Sequence, residues 1–413
     1  MYRFASRALL LTVALISANA FAQVKIAQLD GLSGPFASVG EQQQKTLQAM
    51  VDEINARGGL NGQKLELVSI DGKGSPQETL NALKMVIDQK IHFVTQGNSS
   101  AVAAALSDAI SKHNQRNPNE PIVYLNHSAV DNDLTNSKCN FWHFRFDPNV
   151  SMKIEGITSE LAKDPSVKKI YLINQNYSLG QQTSAEAKTI LARRRPDIKI
   201  VGDELHALGQ VKDFAPYVTK IKASDADTII TGNWGNDLAL LVKAVKEAGL
   251  NVKLYTYYAG GFGAPTSLGD AGIGRVKAIN AWNPNIPNNK TETFANKFKK
   301  RYGFDLYFFP IRTMMQMFEA AARQTKSNDP KKIAFALEGM KFKSETGEVE
   351  MRKQDHQILM PQFISTMQRI ASRGGPADVK YDAESTGTVG FQTNSKIEAF
   401  VSATPTSCHM TRP

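Results

Sequence analysis

The sequence predicts an α/β protein built as two doubly wound lobes, and three observations carry this. At 413 residues the chain is too long for one ordinary core and divides into two domains of conventional size. Strand-like and helix-like stretches alternate from Val24 onward, and the alternation starts afresh after Asp147-Pro148. Extended pieces at residues 141–147, 278–282 and 344–349 read as three crossings between the lobes. Residues 23–146 with about 279–344 then form the first lobe, 147–278 with about 345–364 the second, and 365–413 a C-terminal tail.

The stretch 24–76 sets the pattern. A short apolar strand (26–29) enters a loop broken by Gly31, Gly34, Pro35 and Gly40, and a helix then places Leu47, Met50, Val51 and Ile54 on one stripe. The turn Gly58-Gly59-Leu60-Asn61-Gly62 leads to a second strand at 65–70. A strand-helix-strand crossover is right-handed, so the 31–40 loop is left at the carboxyl end of the first strand, where such sheets hold small molecules.

Pro76 starts a helix carrying Leu80, Leu83 and Ile87, and a strand follows at 91–95. Gln96-Gly97-Asn98-Ser99-Ser100 then opens a helix with Val102, Leu106, Ala109 and Ile110 in register. Such a start offers free N–H groups at the positive end of a helix dipole and can hold a carboxylate. Ser and Asn also cap helices that bind nothing, so the motif alone reads as a cap. The strand at 122–125 ends in a second polar loop, Asn126-His127-Ser128-Ala129-Val130-Asp131.

The second half repeats the rhythm: strand 169–173, loop 174–180 with Tyr177, helix to Arg194, strand 199–201, helix 214–222 and strand 228–231. Gly232-Asn233-Trp234-Gly235-Asn236-Asp237 enters a helix with Leu238, Leu241, Val242 and Val245. A strand at 254–258, ending in Tyr257 and Tyr258, precedes the glycine-rich residues 259–265. Helices at 291–302, 309–325 and 331–337 belong to the return to the first lobe, and residues 371–413 show little periodicity.

Residues 1–22 combine Arg3 and Arg7, an apolar run at 8–16 and Ala20-Phe21-Ala22. That is the build of a secretory signal peptide, too short to span a bilayer, so the mature chain is expected to begin at Gln23, exported and not membrane-embedded. The only cysteines are Cys139 and Cys408, and oxidising conditions outside the cytoplasm favour their pairing as a disulfide that fastens the tail to the body. The formal charge of +10 falls to +8 without Arg3 and Arg7. Its dense runs, Arg193-Arg194-Arg195 and Lys299-Lys300-Arg301, sit at predicted helix ends, where they complement the dipole. With no helix-turn-helix or zinc pattern beside them, no nucleic-acid partner is expected.

Catalytic signatures are scarce. The glycines at 31–40 lack dinucleotide spacing, and phosphate-loop, HExxH and GxSxG patterns do not occur. The seven histidines show no metal-ligand spacing, so no cofactor, metal or catalytic group is expected. What recurs is a set of strand-end loops bearing Ser, Asn and large aromatics: Asn98, Ser99, Ser100, Asn126 and Ser128 in one half, Tyr177, Trp234, Tyr257 and Tyr258 in the other. Two such walls suit closure over a small ligand, although Trp234 and Tyr258 could equally pack between sheet and helix.

The stretches IAQLDGLSGPFASVGEQ and VDEINARGGLNGQKLELVSID, with Asp133-Leu134-Thr135 and Ala248-Gly249-Leu250, resemble the periplasmic solute-binding proteins of branched-chain amino-acid ABC transporters. The resemblance covers Val24 to about Ile364. It implies a type I periplasmic binding protein, two lobes joined by three strands with a ligand cleft between them. Such a protein, here expected as a monomer, would capture a solute in the periplasm and deliver it to the membrane permease of an ABC importer. Position by position, Ser100 matches the serine that holds the ligand's carboxylate with neighbouring N–H groups, which places Asn98 and Ser99 at the same end. Ser128 and Ala129 match small residues whose backbone receives the ligand's ammonium, and Val130 stands where the family often has threonine. Trp234 matches a tyrosine of the second lobe, and Tyr258 stands at the position of an ammonium-binding glutamate.

A buried ammonium without an acidic partner is costly, so the departures at Val130 and Tyr258 weaken the case for an α-amino acid. The expected ligand is a small carboxylate: a branched-chain or other hydrophobic amino acid, or an aromatic or aliphatic acid stacked on Tyr177, Trp234 or Tyr258. Two alternatives remain, a ligand-sensing module serving a signalling partner and an exported enzyme, the latter requiring an acid-base pair that the sequence does not display.

Overall fold

The computed structural model describes residues 23–413; the signal-peptide reading of residues 1–22 lies outside the described residues. Strand β1 (Val24–Gln28) leads through a single turn at Gly34–Phe36 into helix α1 (Ala37–Ala56), whose buried stripe includes Leu47, Met50, Val51 and Ile54. Gly58 and Gly59, both at positive φ, end that helix and turn the chain into β2 (Leu65–Ser69). Helix α2 (Pro76–Asp88), β3 (Phe93–Gln96), α3 (Ser100–Arg116), β4 (Val123–Asn126) and β5 (His143–Arg145) complete the first unit. Its five parallel strands lie in the order β2-β1-β3-β4-β5. Strands β3 and β4 are buried along their whole length, as apolar central strands of a parallel sheet must be.

After Asp147, whose carboxylate meets the Lys153 ammonium at 2.8 Å in a buried pair, α4 (Val150–Leu161) opens the second lobe. There follow β6 (Lys169–Gln175), α5 (Ser178–Arg194), β7 (Lys199–His206), α6 (Ala215–Ala223), β8 (Thr228–Thr231), α7 (Gly235–Glu247), β9 (Lys253–Thr256), α8 (Ala264–Leu268) and β10 (Val276–Asn280). The chain then supplies α9 (Glu292–Tyr302), α10 (Phe309–Thr325) and α11 (Pro330–Leu337), of which α10 packs its apolar face on the first-lobe core beside α1. Beyond them stand β11 (Lys341–Ser344), β12 (Gly347–Met351), β13 (Ile358–Leu359), β14 (Gln362–Arg369), β15 (Val389–Ile397) and α12 (Ala399–Ser402). The second sheet has seven strands in the order β15-β14-β10-β9-β8-β6-β7.

Strand β10 pairs in parallel with β9, and the chain leaves the second sheet after Asn280. Two expectations about chain path need correction. Residues 344–349 are not a crossing. They form the turn of the β11–β12 hairpin, in which Ser344 faces Gly347 and Gly347 takes a φ of 137°; Arg312 of α10 holds Glu345 to the first lobe at 2.8 Å. The crossing comes later, between β13 and β14. Finally, residues 365–413 are more than a tail, because β14 and β15 are antiparallel partners that extend the second sheet on one side. β15 alternates buried and solvated positions toward its end, which is why the sequence showed no strong apolar run there.

From α12, which packs on α4, the last residues return to the first lobe. Thr406 donates its hydroxyl to the Thr135 carbonyl (2.8 Å), and the Ser407 N–H donates to Asn136 Oδ1 (2.9 Å). Cys408 is joined to Cys139 by a disulfide, with Cα atoms 5.8 Å apart.

Candidate functional site

The carboxyl end of β3 delivers the chain to the start of α3. Ser99 sits at the N-cap with φ −161° and ψ 125°, and its hydroxyl accepts from the Val102 N–H at 3.5 Å. The first intrahelical bond runs from the Ala103 N–H to the Ser99 carbonyl (2.9 Å), so the N–H groups of Ser100 and Ala101 have no partner in the helix. Ser100 Oγ accepts from the Asp131 N–H (3.3 Å) and keeps its own proton to donate. In the neighbouring loop, Asn126 Oδ1 accepts from the N–H groups of Ser128 (3.2 Å) and Ala129 (2.8 Å). Asn126 Nδ2 donates to the Ala129 carbonyl (2.9 Å), which pins the loop.

A buried carboxylate organises both loops. Asp30, at the end of β1, accepts from the N–H groups of Gly97 (2.8 Å) and Asn98 (3.1 Å) and from Gln28 Nε2 (3.0 Å); His127 Nε2 stands 3.2 Å away. The other ring nitrogen of His127 lies 2.9 Å from Ser128 Oγ. Burial pushes the Asp30 carboxyl up, but the His127 ring and the converging N–H donors outweigh it and hold the group below its ordinary value. At Gly97 a Cβ would fall 2.5 Å from His127 Nδ1, so only glycine fits between the histidine and the helix start.

The second wall is aromatic. Trp234 is 6% exposed, donates its indole N–H to Tyr177 Oη (2.8 Å) and stacks on Phe36 of the first lobe with ring centroids 5.0 Å apart. A second bridge joins Gln182 of α5 to the Ser128 loop: its Nε2 donates to Asp131 Oδ1 (2.7 Å) and its Oε1 accepts from the Asn132 N–H (2.7 Å). Tyr258 packs edge-on to Phe262, which in turn meets Phe308 at the start of α10. Burial pushes the Tyr177 and Tyr258 phenols well above their ordinary value, so both stay neutral donors.

These walls close on a narrow cavity of about 30 Å³, far below the ~300–1,000 Å³ usual for small-molecule sites, so a guest enters only as the walls part. Asn98, Ser99, Ser100, Ser128 and Ala129 line it from one lobe, and Tyr177, Trp234 and Tyr258 from the other. Val130 is a correction. It is fully buried and packs with Val150, Ile154 and Tyr257, its carbonyl accepting from the Val150 N–H, so it belongs to the joint between the lobes and not to the cavity wall.

Sequence reasoning missed Val39, Gln43, Leu179, Phe262 and Phe308, which also line the space. One signal was available: Gln43 stands one helical turn before Leu47 on the buried stripe of α1, where a polar residue needs a reason. No acidic or basic side chain belongs to the wall. The cavity therefore offers hydroxyls, amides, helix N–H groups and aromatic faces, which suits an apolar body carrying one anionic end. Among the described residues there is no cluster of metal-ligating side chains, and no helix is long and apolar enough to cross a membrane.

The fold and this cavity agree with what the chain is similar to. A model of the periplasmic binding protein family matches residues 23–374. Leu/Ile/Val-binding protein homolog 4 of Brucella abortus (strain 2308) is 33% identical over 401 residues, spanning 94% of this chain and 93% of that protein. The crystal structure of a leucine-, isoleucine-, valine-, threonine- and alanine-binding protein from Brucella ovis, in a closed conformation, superposes with a TM-score of 0.82 at 31% identity, over 95% of this chain and 100% of that one. A solute-binding protein of an ABC transporter from R. palustris, in complex with benzoate, shares the fold with a TM-score of 0.77 at 18% identity, over 94% of this chain and 99% of that one. With the family model covering most of its length and a relative one-third identical across nearly all of it, the chain belongs to the periplasmic binding proteins.

Proposed function

We propose that this protein is a solute receptor that closes over a small carboxylate with an apolar body and hands it to the permease of an ABC importer. The observation that supports this is the uncharged cavity between the lobes, with the start of α3 at one end and Tyr177, Trp234 and Tyr258 at the other. Ser100 and the first free N–H groups of α3 take the carboxylate, while Ser128 and the aromatic residues take the body. Release follows the reverse motion, and the solute leaves unaltered. The family implies a periplasmic location, consistent with the signal-like residues 1–22.

The relatives are named for branched-chain amino acids, and one structural neighbour holds benzoate. Because no acidic side chain lines the cavity, acids without an ammonium group are the first candidates. The test is a thermal-shift screen of leucine, isoleucine and valine against benzoate, phenylacetate and short branched acids, followed by calorimetry. A ligand that binds only the folded state raises the melting temperature by mass action, by an amount set by its concentration over Kd. If no carboxylate in the panel shifts the transition while neutral amides or sugars do, the proposal fails.

A further inference from the structure

Gln43 is 1% exposed, lines the cavity, and has neither its amide oxygen nor its amide nitrogen in a hydrogen bond. Asn98, 5% exposed on the same wall, donates Nδ2 to the Gly31 carbonyl (3.3 Å) but leaves Oδ1 without a partner. Amide oxygens of Gln175, Asn233, Gln316 and Gln362 are open away from the cavity, but among the described residues Gln43 is the amide with both atoms open, and on a cavity wall these are groups for a guest to meet. A carboxylate accepts only, and so it can serve Gln43 Nε2 but neither of the two amide oxygens. Those oxygens require a donor. An ammonium would be a donor, yet the wall holds no carboxylate to balance it. A hydroxyl donates and accepts while remaining neutral.

We propose that the ligand is a hydroxylated carboxylate and that Gln43, helped by Asn98, is the residue that reads the hydroxyl. This rests on the carboxylate reading of the cavity given above and goes further by fixing a second polar group on the guest. The geometry also accounts for Gln43 on a mostly apolar stripe: Leu47 and Met50 serve the core, and Gln43, like Val39, faces the cavity.

The experiment uses matched probes that differ in one group. Leucine, 2-hydroxy-4-methylpentanoate and 4-methylpentanoate share a skeleton and carry ammonium, hydroxyl or hydrogen; 4-hydroxybenzoate and benzoate, with 3-hydroxybenzoate, repeat the comparison on a ring. Calorimetry on the full mature chain is expected to show at least one hydroxylated member binding about tenfold or more tighter than its unhydroxylated partner, the size of effect a site built for a hydroxyl gives at minimum. Gln43→Leu should bring that ratio to about two or less. Its ligand-free melting temperature should not fall, since the substitution removes an unsatisfied amide. Gln43→Met, unbranched and of similar length, serves if the leucine variant folds poorly.

Equal binding of every hydroxylated and plain pair by the unsubstituted protein would overturn the proposal, as would a ratio that survives both Gln43 variants, or leucine preferred over both of its analogues. Acids that bind without any hydroxyl preference would sink this inference alone. Failure of every acid to bind would sink the carboxylate reading with it.

Discussion

Asp30→Asn tests the part of the site that needs no ligand. In the folded protein the carboxylate accepts three hydrogen bonds, from Gly97, Asn98 and Gln28, and faces the His127 ring at 3.2 Å. Asparagine can keep its oxygen on the Gly97 and Asn98 N–H groups, but its NH2 then faces Gln28 Nε2, so that contact becomes repulsive, the remaining bonds lose their charge, and His127 loses its anionic partner. Hydrogen bonds to a charged group contribute about 1.5–3 kcal/mol each, and breaking a buried charged arrangement from one side costs about 3–5 kcal/mol. The expected loss is therefore roughly 3–5 kcal/mol, a large part of the ~5–15 kcal/mol by which folded domains are stable. Urea unfolding of ligand-free protein at pH 7 measures it directly. The pH dependence supplies a second check. A carboxyl held below its ordinary value contributes its full stabilisation above that ordinary value and loses it as the pH falls through the folded-state value. The gap between the unsubstituted protein and the variant should narrow in strong acid for that reason. A loss below about 1 kcal/mol at pH 7, or a gap that widens in acid, would refute the assignment of Asp30 as the anchor of the 97–100 loop.

Other perturbations have equally definite outcomes. Trp234→Ala and Phe36→Ala should each weaken ligand binding, and a double-mutant cycle should give a coupling of about 0.5–1.5 kcal/mol for the ring pair, read by calorimetry; strict additivity would show that the rings do not meet in the bound state. Ser100→Ala should weaken binding less than Trp234→Ala, because the helix N–H groups remain. Burial holds the His143 and His356 imidazoles down to about 3, so the unfolded chain takes up two protons that the native state refuses, and stability falls as pH drops from 6.5 toward 3. The slope per histidine is about 1.4 kcal/mol per pH unit, and His356→Asn, which suits the φ of 53° there, should remove one such share in urea melts at pH 4 to 6. Cys139→Ser with Cys408→Ser should lower stability by about 2–4 kcal/mol relative to the oxidised protein, while melting like the reduced one.

Much of the fold was legible because its strands and helices follow period and punctuation. Pro76 opens α2, the glycines after Ala56 close α1, and the apolar stretch 228–231 coincides with β8. The site was legible where a loop announces itself: Ser99 and Ser100 open a helix after a strand, and Trp234 does the same in the other lobe. Residues that act from inside regular structure were not. Gln43 hides in a helix, and Asp30 looks like any loop carboxylate until His127, 97 residues away, is folded against it. Val130 was misplaced because neighbours in a loop face different ways, Ser128 toward the cavity and Val130 into the joint. The β11–β12 hairpin escaped notice because Arg312, which fixes its turn, comes from α10.

The return of the C-terminus gives the molecule a leash. Between Ser402, held by Gln362 in the second lobe (3.1 Å), and Cys408, locked to the first, only six residue steps intervene, a reach of about 21 Å at full stretch. At this edge the two lobes therefore cannot part by more than that length while both anchors hold, so they have fewer relative orientations open to them than lobes joined by flexible linkers alone.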